Sequence, residues 1–430
     1  MSSPAAEADL AHRASADRTF ARLTAVVLCT WAVASLFSEG LQQGALYAAI
    51  VLALVARRRV RLARDVKLVI ALAVAVWLWQ LTSPLLAVAR HLLPGMPRSG
   101  RYGQAFDTLA PAAVAALATF GVPWRALASA LGVGWALDLA AGVFQHAVPW
   151  PFGDLHGVLT AAQLHRLRQN VDRPGHPPAR AGLGLFFHRL RFAHGAVAAL
   201  GPALAVATRS AHARARVWAG ALSLALLCCA LVSYTRAALG AGLAMAVLAL
   251  ATVDKRQVRA AAVALTLAAA AAIAVSPTWR ARIADVPRTM LRGERELAMT
   301  TGMKIIEAHP LLGVGFGNYK PSALPLQRVH NATTTLLSND AHDLVLTVWA
   351  ETGLLGLSLY LAFHLALARA LWGRARRGSL PASGALLSLL GFHVLGLVHY
   401  IAFHTGVMLS FGLFWGLGLA PHGPGDSAAS

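Results

Sequence analysis

Arg57-Arg58-Arg59-Val60-Arg61 is followed a few residues later by Val66-Lys67-Leu68-Val69-Ile70-Ala71-Leu72-Ala73-Val74-Ala75-Val76-Trp77-Leu78-Trp79-Gln80-Leu81-Thr82-Ser83. The second run is apolar over roughly the 17–25 residues that a helix needs to cross a bilayer, and the first is a block of positive charge at its edge. Runs of this kind recur along all 430 residues and decide the fold class. The chain is 57% hydrophobic and 13% charged, with mean hydropathy +0.58. A soluble domain is nearer a quarter charged, so the reading is an all-α polytopic membrane protein.

Working outward, twelve transmembrane helices are expected, at about 20–38, 41–56, 66–83, 105–122, 124–144, 192–208, 216–234, 237–253, 258–275, 353–372, 380–399 and 403–420. The first apolar run has no small-residue cleavage site and reads as a span rather than a signal peptide. Basic clusters at Arg57 to Arg61, Arg209 to Arg216, Lys255-Arg256 with Arg259, and Arg374 to Arg377 all fall in short loops on the side of the termini. The positive-inside rule then puts the N and C termini in the cytoplasm. The resulting organisation begins with a disordered cytoplasmic tail at 1–18 and N-terminal transmembrane helices at 19–144. A basic periplasmic loop at 145–191 leads to central transmembrane helices at 192–275. A periplasmic segment at 276–352 carries the candidate catalytic residue, and C-terminal transmembrane helices at 353–420 end in a cytoplasmic tail at 421–430.

The net charge of +20 would suggest nucleic acid in a soluble protein. Here it divides between the membrane-edge clusters and the two long loops, so no nucleic-acid partner is expected. A cationic surface on the far side of the membrane suits an anionic, membrane-bound substrate, because arginine forks match phosphate oxygens. Contact with anionic lipid headgroups fits the same charge. Cys29, Cys228 and Cys229 fall inside spans, and neither they nor the scattered histidines give a disulfide framework or a metal spacing. No metal and no cofactor are expected.

Chemistry is sought first at Ser338-Asn339-Asp340-Ala341-His342-Asp343-Leu344, where a polar loop meets a helix. With Asp340 as N-cap, His342 would sit in the first helical turn, where the helix dipole favours a neutral ring able to accept a proton. A solvated histidine at a helix start is the plainer alternative. Arg236, in Ser233-Tyr234-Thr235-Arg236, lies between two spans with almost no loop, either as an anion ligand or as a snorkelling anchor. Of Arg189 and Arg191, two residues apart, only one would face a cavity, and Arg191 is the deeper. Arg288 and Arg292 share a helix face, beside Arg295, and could hold phosphate or pair with Asp285, Glu294 or Glu296. Gly313-Val314-Gly315-Phe316-Gly317 lacks the strand-to-helix context of a nucleotide loop and reads as a turn.

The run from Gly302 through His309-Pro310-Leu311-Leu312-Gly313-Val314-Gly315-Phe316-Gly317-Asn318-Tyr319, then Ala341-His342-Asp343-Leu344, then Glu351-Thr352-Gly353, resembles the O-antigen ligase and polymerase superfamily. Ser233 to Arg236 is similar to its upstream arginine motif. The family's commoner His-Asn is His-Asp here, so Asp343 either orients the imidazole or caps the helix. The resemblance implies a GT-C-like membrane enzyme in the bacterial inner membrane, with its active site facing the periplasm. Its donor would be a glycan on undecaprenyl pyrophosphate and its acceptor the lipid A core, with inversion and no metal. His342 would be catalytic, Arg191, Arg236 and Arg288 would bind the pyrophosphate, and Arg189, Arg292 and Asp343 are secondary candidates. An O-antigen polymerase and a protein O-oligosaccharyltransferase are the alternatives within the group. A lipid-linked glycan carrier or flippase is the alternative of another class, and predicts charge along the full depth of the membrane.

Overall fold

The structure, a computed structural model, describes residues 4–90, 92, 99–147, 180–186, 188–251, 270–271, 273–286, 294–330 and 340–421. Among them regular structure is entirely helical. In chain order the helices are α1 (Pro4–Ala34), α2 (Glu39–Val55), α3 (Arg64–Ala89), α4 (Ser99–Asp107), α5 (Ala110–Ala118), α6 (Trp124–Ala147), α7 (Arg189–Arg209) and α8 (Ala213–Val232). They continue with α9 (Arg236–Ala251), α10 (Pro277–Ala284), α11 (Glu294–Ala308), α12 (Tyr319–His330), α13 (Leu344–Arg376), α14 (Leu380–Gly396) and α15 (Thr405–Leu419).

Five of these helices, α3, α6, α7, α8 and α13, are long and apolar enough to cross a membrane; α2, α9, α14 and α15 are apolar but shorter. The described residues therefore fall short of the twelve full spans expected. The stretch at 105–122 is broken after Asp107, where the chain turns and Pro111 opens a new helix in α5. The span at 258–275 lies almost wholly outside the described residues, as does most of the 145–191 loop. Helix α1 starts at Pro4, inside the stretch expected to be a disordered tail, and the alanines at 5, 6, 8, 11, 14 and 16 favour helix there. Helix α13 starts at Leu344, before the span expected at 353–372.

At the centre α7 and α14 pack on each other, with α8, α9, α13 and α15 around them, α3 against α13 and α5 against α15. Between helices in lipid there is little hydrophobic drive, so close van der Waals contact holds them together. The α7–α14 contact depends on two glycines. A Cβ on Gly201 would lie 2.4 Å from the Gly384 carbonyl oxygen, and one on Gly384 would lie 2.6 Å from Pro202 Cα. Phe392 fills the core beside them, edge-on to Phe411 and Trp415 at centroid distances of 5.2 and 5.1 Å.

Successive helices reverse direction, so the N-terminal ends of α2, α7, α9, α13 and α15 gather on one face with the C-terminal ends of α3, α8 and α14. The opposite face collects the basic clusters Arg57 to Arg61, Arg209 to Arg216 and Arg374 to Arg377. There Arg374 pairs with Asp65, and Arg209 Nη1 donates to Ser383 Oγ at 2.9 Å. The first face carries a small core of its own, formed by Ile305, Ile306, Val314, Tyr319, Ala323, Ala341 and Ala350.

Candidate active site

The glycine-rich turn after α11 is a backbone latch. Gly353 interrupts α13 with φ 68° and ψ −175°, and a Cβ there would meet the Leu311 carbonyl oxygen at 2.2 Å. Only glycine takes that conformation without strain. The break exposes amides that the turn satisfies: Leu354 N–H donates to Pro310 O at 2.8 Å, and Val314 N–H donates to Ala350 O at 3.0 Å. Buried Glu351 accepts the Tyr319 N–H at 3.2 Å, and Phe316 N–H donates to Ser83 Oγ of α3 at 3.1 Å. Burial pushes the Tyr319 phenol up, with the Asp340 and Glu351 charges adding, and its hydroxyl donates to Ala298 O at 2.6 Å. Much of the sequence signature thus fixes α11, α12 and the start of α13 to one another.

That frame holds Ala341, which is buried and donates its N–H to Thr347 Oγ1 at 3.1 Å. The next residue, His342, is not helical. It has φ 55°, and its N–H donates to Asp340 Oδ1 at 2.8 Å, closing a turn of the kind aspartate side chains favour. The N-cap is Asp343, whose Oδ1 accepts the Leu346 N–H at 2.8 Å. Asp340 is therefore not the expected N-cap, and of the two roles open to Asp343 it takes the cap. Asp343 is spent on the cap, while Asp340 turns back to face the imidazole, with Oδ1 3.6 Å from Nδ1. A carboxylate on Nδ1 leaves Nε2 as the nitrogen that can take a proton, the order used by hydrolase triads.

Arg236 reaches the same place by another tight turn. Tyr234 has φ 53°, and Ser233 Oγ bonds both Ala230 O and Thr235 Oγ1, so α8 ends and α9 begins within three residues. Arg236 Nη1 donates to the Arg282 carbonyl at 2.5 Å, and Asp285 is within electrostatic reach. Arg295, at the start of α11, is held below its ordinary range by burial first and by the Arg236 charge second, with Asp340 opposing. Two guanidiniums close enough to repel, one of them well desolvated, form a place where an anion gains from both.

Near the turn at His342 lies a row of imidazoles. His399 and His404 sit in the link between α14 and α15, and His194 lies wholly buried in α7. Ring centroids are 5.2 Å apart for His194–His399, 6.3 Å for His194–His404 and 5.5 Å for His188–His404. A Cβ on Gly396, three residues before His399, would lie 2.8 Å from Leu344 Cδ2, so the end of α14 packs against the start of α13 just after His342. His342 and Arg295 are also within electrostatic reach of His399. The row ends at Arg191, whose Nη1 lies 2.8 Å from Glu39 Oε2, while Glu39 Oε1 accepts the Gly406 N–H at 3.1 Å. Ser38, Glu39, Gln42, Phe186, Arg191 and Gly406 line a cavity of about 240 Å³ there. Among the described residues no group of three or more histidine, cysteine or acidic side chains is arranged to hold a metal ion.

Of the residues expected from sequence, His342 and Arg236 come to one neighbourhood. Arg191 faces a cavity, but its charge is matched by Glu39. Arg189 is close to His194. Arg288 and Arg292 lie outside the described residues. Sequence reasoning missed Asp340 as the imidazole's partner, Glu39, and the histidine row. A partial signal existed: Arg191 and His194 lie three residues apart in α7, with His188 three residues earlier as its N-cap.

No curated protein matches the chain. Residues 221–361 match the O-antigen ligase family, a stretch of about a third of the chain that contains Arg236, Arg295, the latch, Asp340 and His342. The family's members are glycosyltransferase-like ligases, which supports an enzymatic role of the O-antigen ligase or polymerase type. Residues 221–361 are thus similar to the O-antigen ligase family, and this match supports membership of the O-antigen ligase superfamily.

Proposed function

We propose that this protein transfers a glycan from undecaprenyl pyrophosphate to a hydroxyl of the lipid A core, at the periplasmic face of the bacterial inner membrane, with inversion and without a metal. The observation that carries this reading is the convergence of Arg236, Arg295, Asp340 and His342 on the face opposite the basic clusters. By the positive-inside rule that face is periplasmic.

In the reaction the acceptor hydroxyl attacks the anomeric carbon, and the bond to the pyrophosphate oxygen breaks with its electron pair leaving on that oxygen. His342 takes or orients the hydroxyl proton, and Asp340 fixes the ring and offsets the charge that reaches it. Arg236 and Arg295 meet the charge growing on the leaving oxygen, where fixed cations are most effective. Arg288 and Arg292, just before α11 in sequence, are further candidates for the same anion, and Arg191 and Arg189 for the outer part of the substrate.

The test offers purified protein an undecaprenyl-pyrophosphate glycan with lipid A core and a second lipid-linked repeat together, in chelator, and reads product mass. Glycan on lipid A core supports the proposal. Lengthened lipid-linked chains would make the protein a polymerase, and transfer to neither would overturn the proposal in favour of a protein acceptor or a carrier.

A further inference from the structure

The histidine row is not absorbed by the chemistry above. His194 is 0% exposed, and neither ring nitrogen has a hydrogen-bond partner among the described protein atoms. A buried imidazole in that state is unusual, since buried polar groups are nearly always bonded. It does not stand alone, because His399 lies on one side of it and His404 on the other. Imidazoles at these separations are within reach of water-bridged hydrogen bonds. A neutral ring accepts on one nitrogen and donates from the other, so such a row can hand a proton along by exchanging tautomers.

The two ends of the row give it a direction. One end is His342, the residue proposed to take the acceptor's proton. The other is the cavity beside Arg191 and Glu39, whose side chains are about a third exposed. A bulky glycan acceptor seated on His342 would cover the imidazole and close its direct route to water.

Resting on the reading of His342 above, we propose that His399, backed by His194 and His404, is a proton-relay residue that carries the acceptor's proton from His342 to water at the Glu39–Arg191 cavity. The balance is simple. The acceptor O–H breaks as the new glycosidic C–O bond forms, undecaprenyl pyrophosphate leaves with the electron pair of the old bond, and the proton passes from His342 along the row to solvent. No oxidant, reductant or further reactant is needed. The titratable and charged groups within electrostatic reach of His399 are His194 from α7, Arg295 from α11, His342 from the turn before α13, and His404 before α15. Burial and these neighbours keep it neutral, as a relay ring must be between turnovers.

The test uses the full chain with His399→Gln and His404→Gln, measured beside His342→Ala in the same transfer assay. A relay predicts that kcat falls by about tenfold or more while donor KM stays within about twofold. It also predicts that free imidazole restores part of the rate to His399→Gln, and that the solvent deuterium effect on kcat changes. A KM rise with kcat intact, a loss that imidazole does not restore, or an unchanged rate in both glutamine variants would overturn the relay. If His342→Ala keeps full activity, the reading of His342 itself fails. If His342→Ala is inactive and the glutamine variants are normal, only the relay fails.

Discussion

Asp340→Asn separates the electrostatic role of Asp340 from its structural one. The side-chain oxygen that accepts the His342 N–H is kept in asparagine, so the left-handed turn stands, but the charge 3.6 Å from Nδ1 is lost. At that distance two unit charges interact by about 1 kcal/mol in bulk water and by about 4–5 kcal/mol at the effective dielectric of partly buried sites. Asp340 exposes 13% of its side chain and His342 32%, so solvent screening lowers the upper figure. A net effect of about 1–3 kcal/mol is expected, which is about 5- to 150-fold in kcat. Removing a carboxylate beside Arg295 leaves the arginine pair more cationic, so donor KM should hold or fall. Initial rates of the purified variant across donor concentration read both quantities, with Asp340→Ala as the variant that also loses the turn. An Asp340→Asn protein with kcat within about twofold of the parent would refute the pairing of Asp340 with the catalytic imidazole.

Arg236→Ala and Arg295→Ala should each lower kcat/KM for donor by about 10- to 150-fold, the worth of one charge-assisted hydrogen bond, whereas Arg376→Ala on the opposite face should change it little. Steady-state kinetics with a lipid-linked donor check this. Gly353→Ala should cost more than about 3 kcal/mol, because the backbone is strained for alanine and its Cβ would meet Leu311 O at 2.2 Å. A fall in unfolding temperature, with faster proteolysis near residue 311, is the readout. Burial holds His399 and His404 well below the ordinary histidine range. As pH falls below about 6.5 the unfolded chain binds protons that the folded one does not, so stability is full above that pH and is lost as pH descends toward the folded values. Thermal unfolding in detergent between pH 8 and 5 should show this slope, and His399→Gln should flatten it.

Apolar run length gave the all-helical membrane class directly, and the loop composition gave the neighbourhood of His342 and Arg236. The errors came where tertiary contacts overrule local pattern. The stretch at 105–122 reads as one apolar helix, yet it turns after Asp107, whose buried side chain lies near Thr405 almost three hundred residues away. Asp340 and Asp343 carry equal local signals for capping, and only the left-handed turn at His342 assigns one to the helix and the other to the ring. Glu39 was invisible as Arg191's partner because it is the first residue of α2, far away in sequence. The histidines looked scattered because the row is assembled from α7 and the α14–α15 link. By contrast, the glycine-rich turn was readable as a turn, and its purpose became clear only against the break at Gly353.

The central claim is that His342 does chemistry on an acceptor hydroxyl while the arginines hold the donor. The most direct measurement compares His342→Ala with the parent protein for two quantities: binding of the undecaprenyl-pyrophosphate glycan, and single-turnover transfer to lipid A core. The account predicts donor binding within about twofold of the parent and transfer lowered by about 10²–10⁴-fold. Transfer at the parental rate by His342→Ala would contradict it.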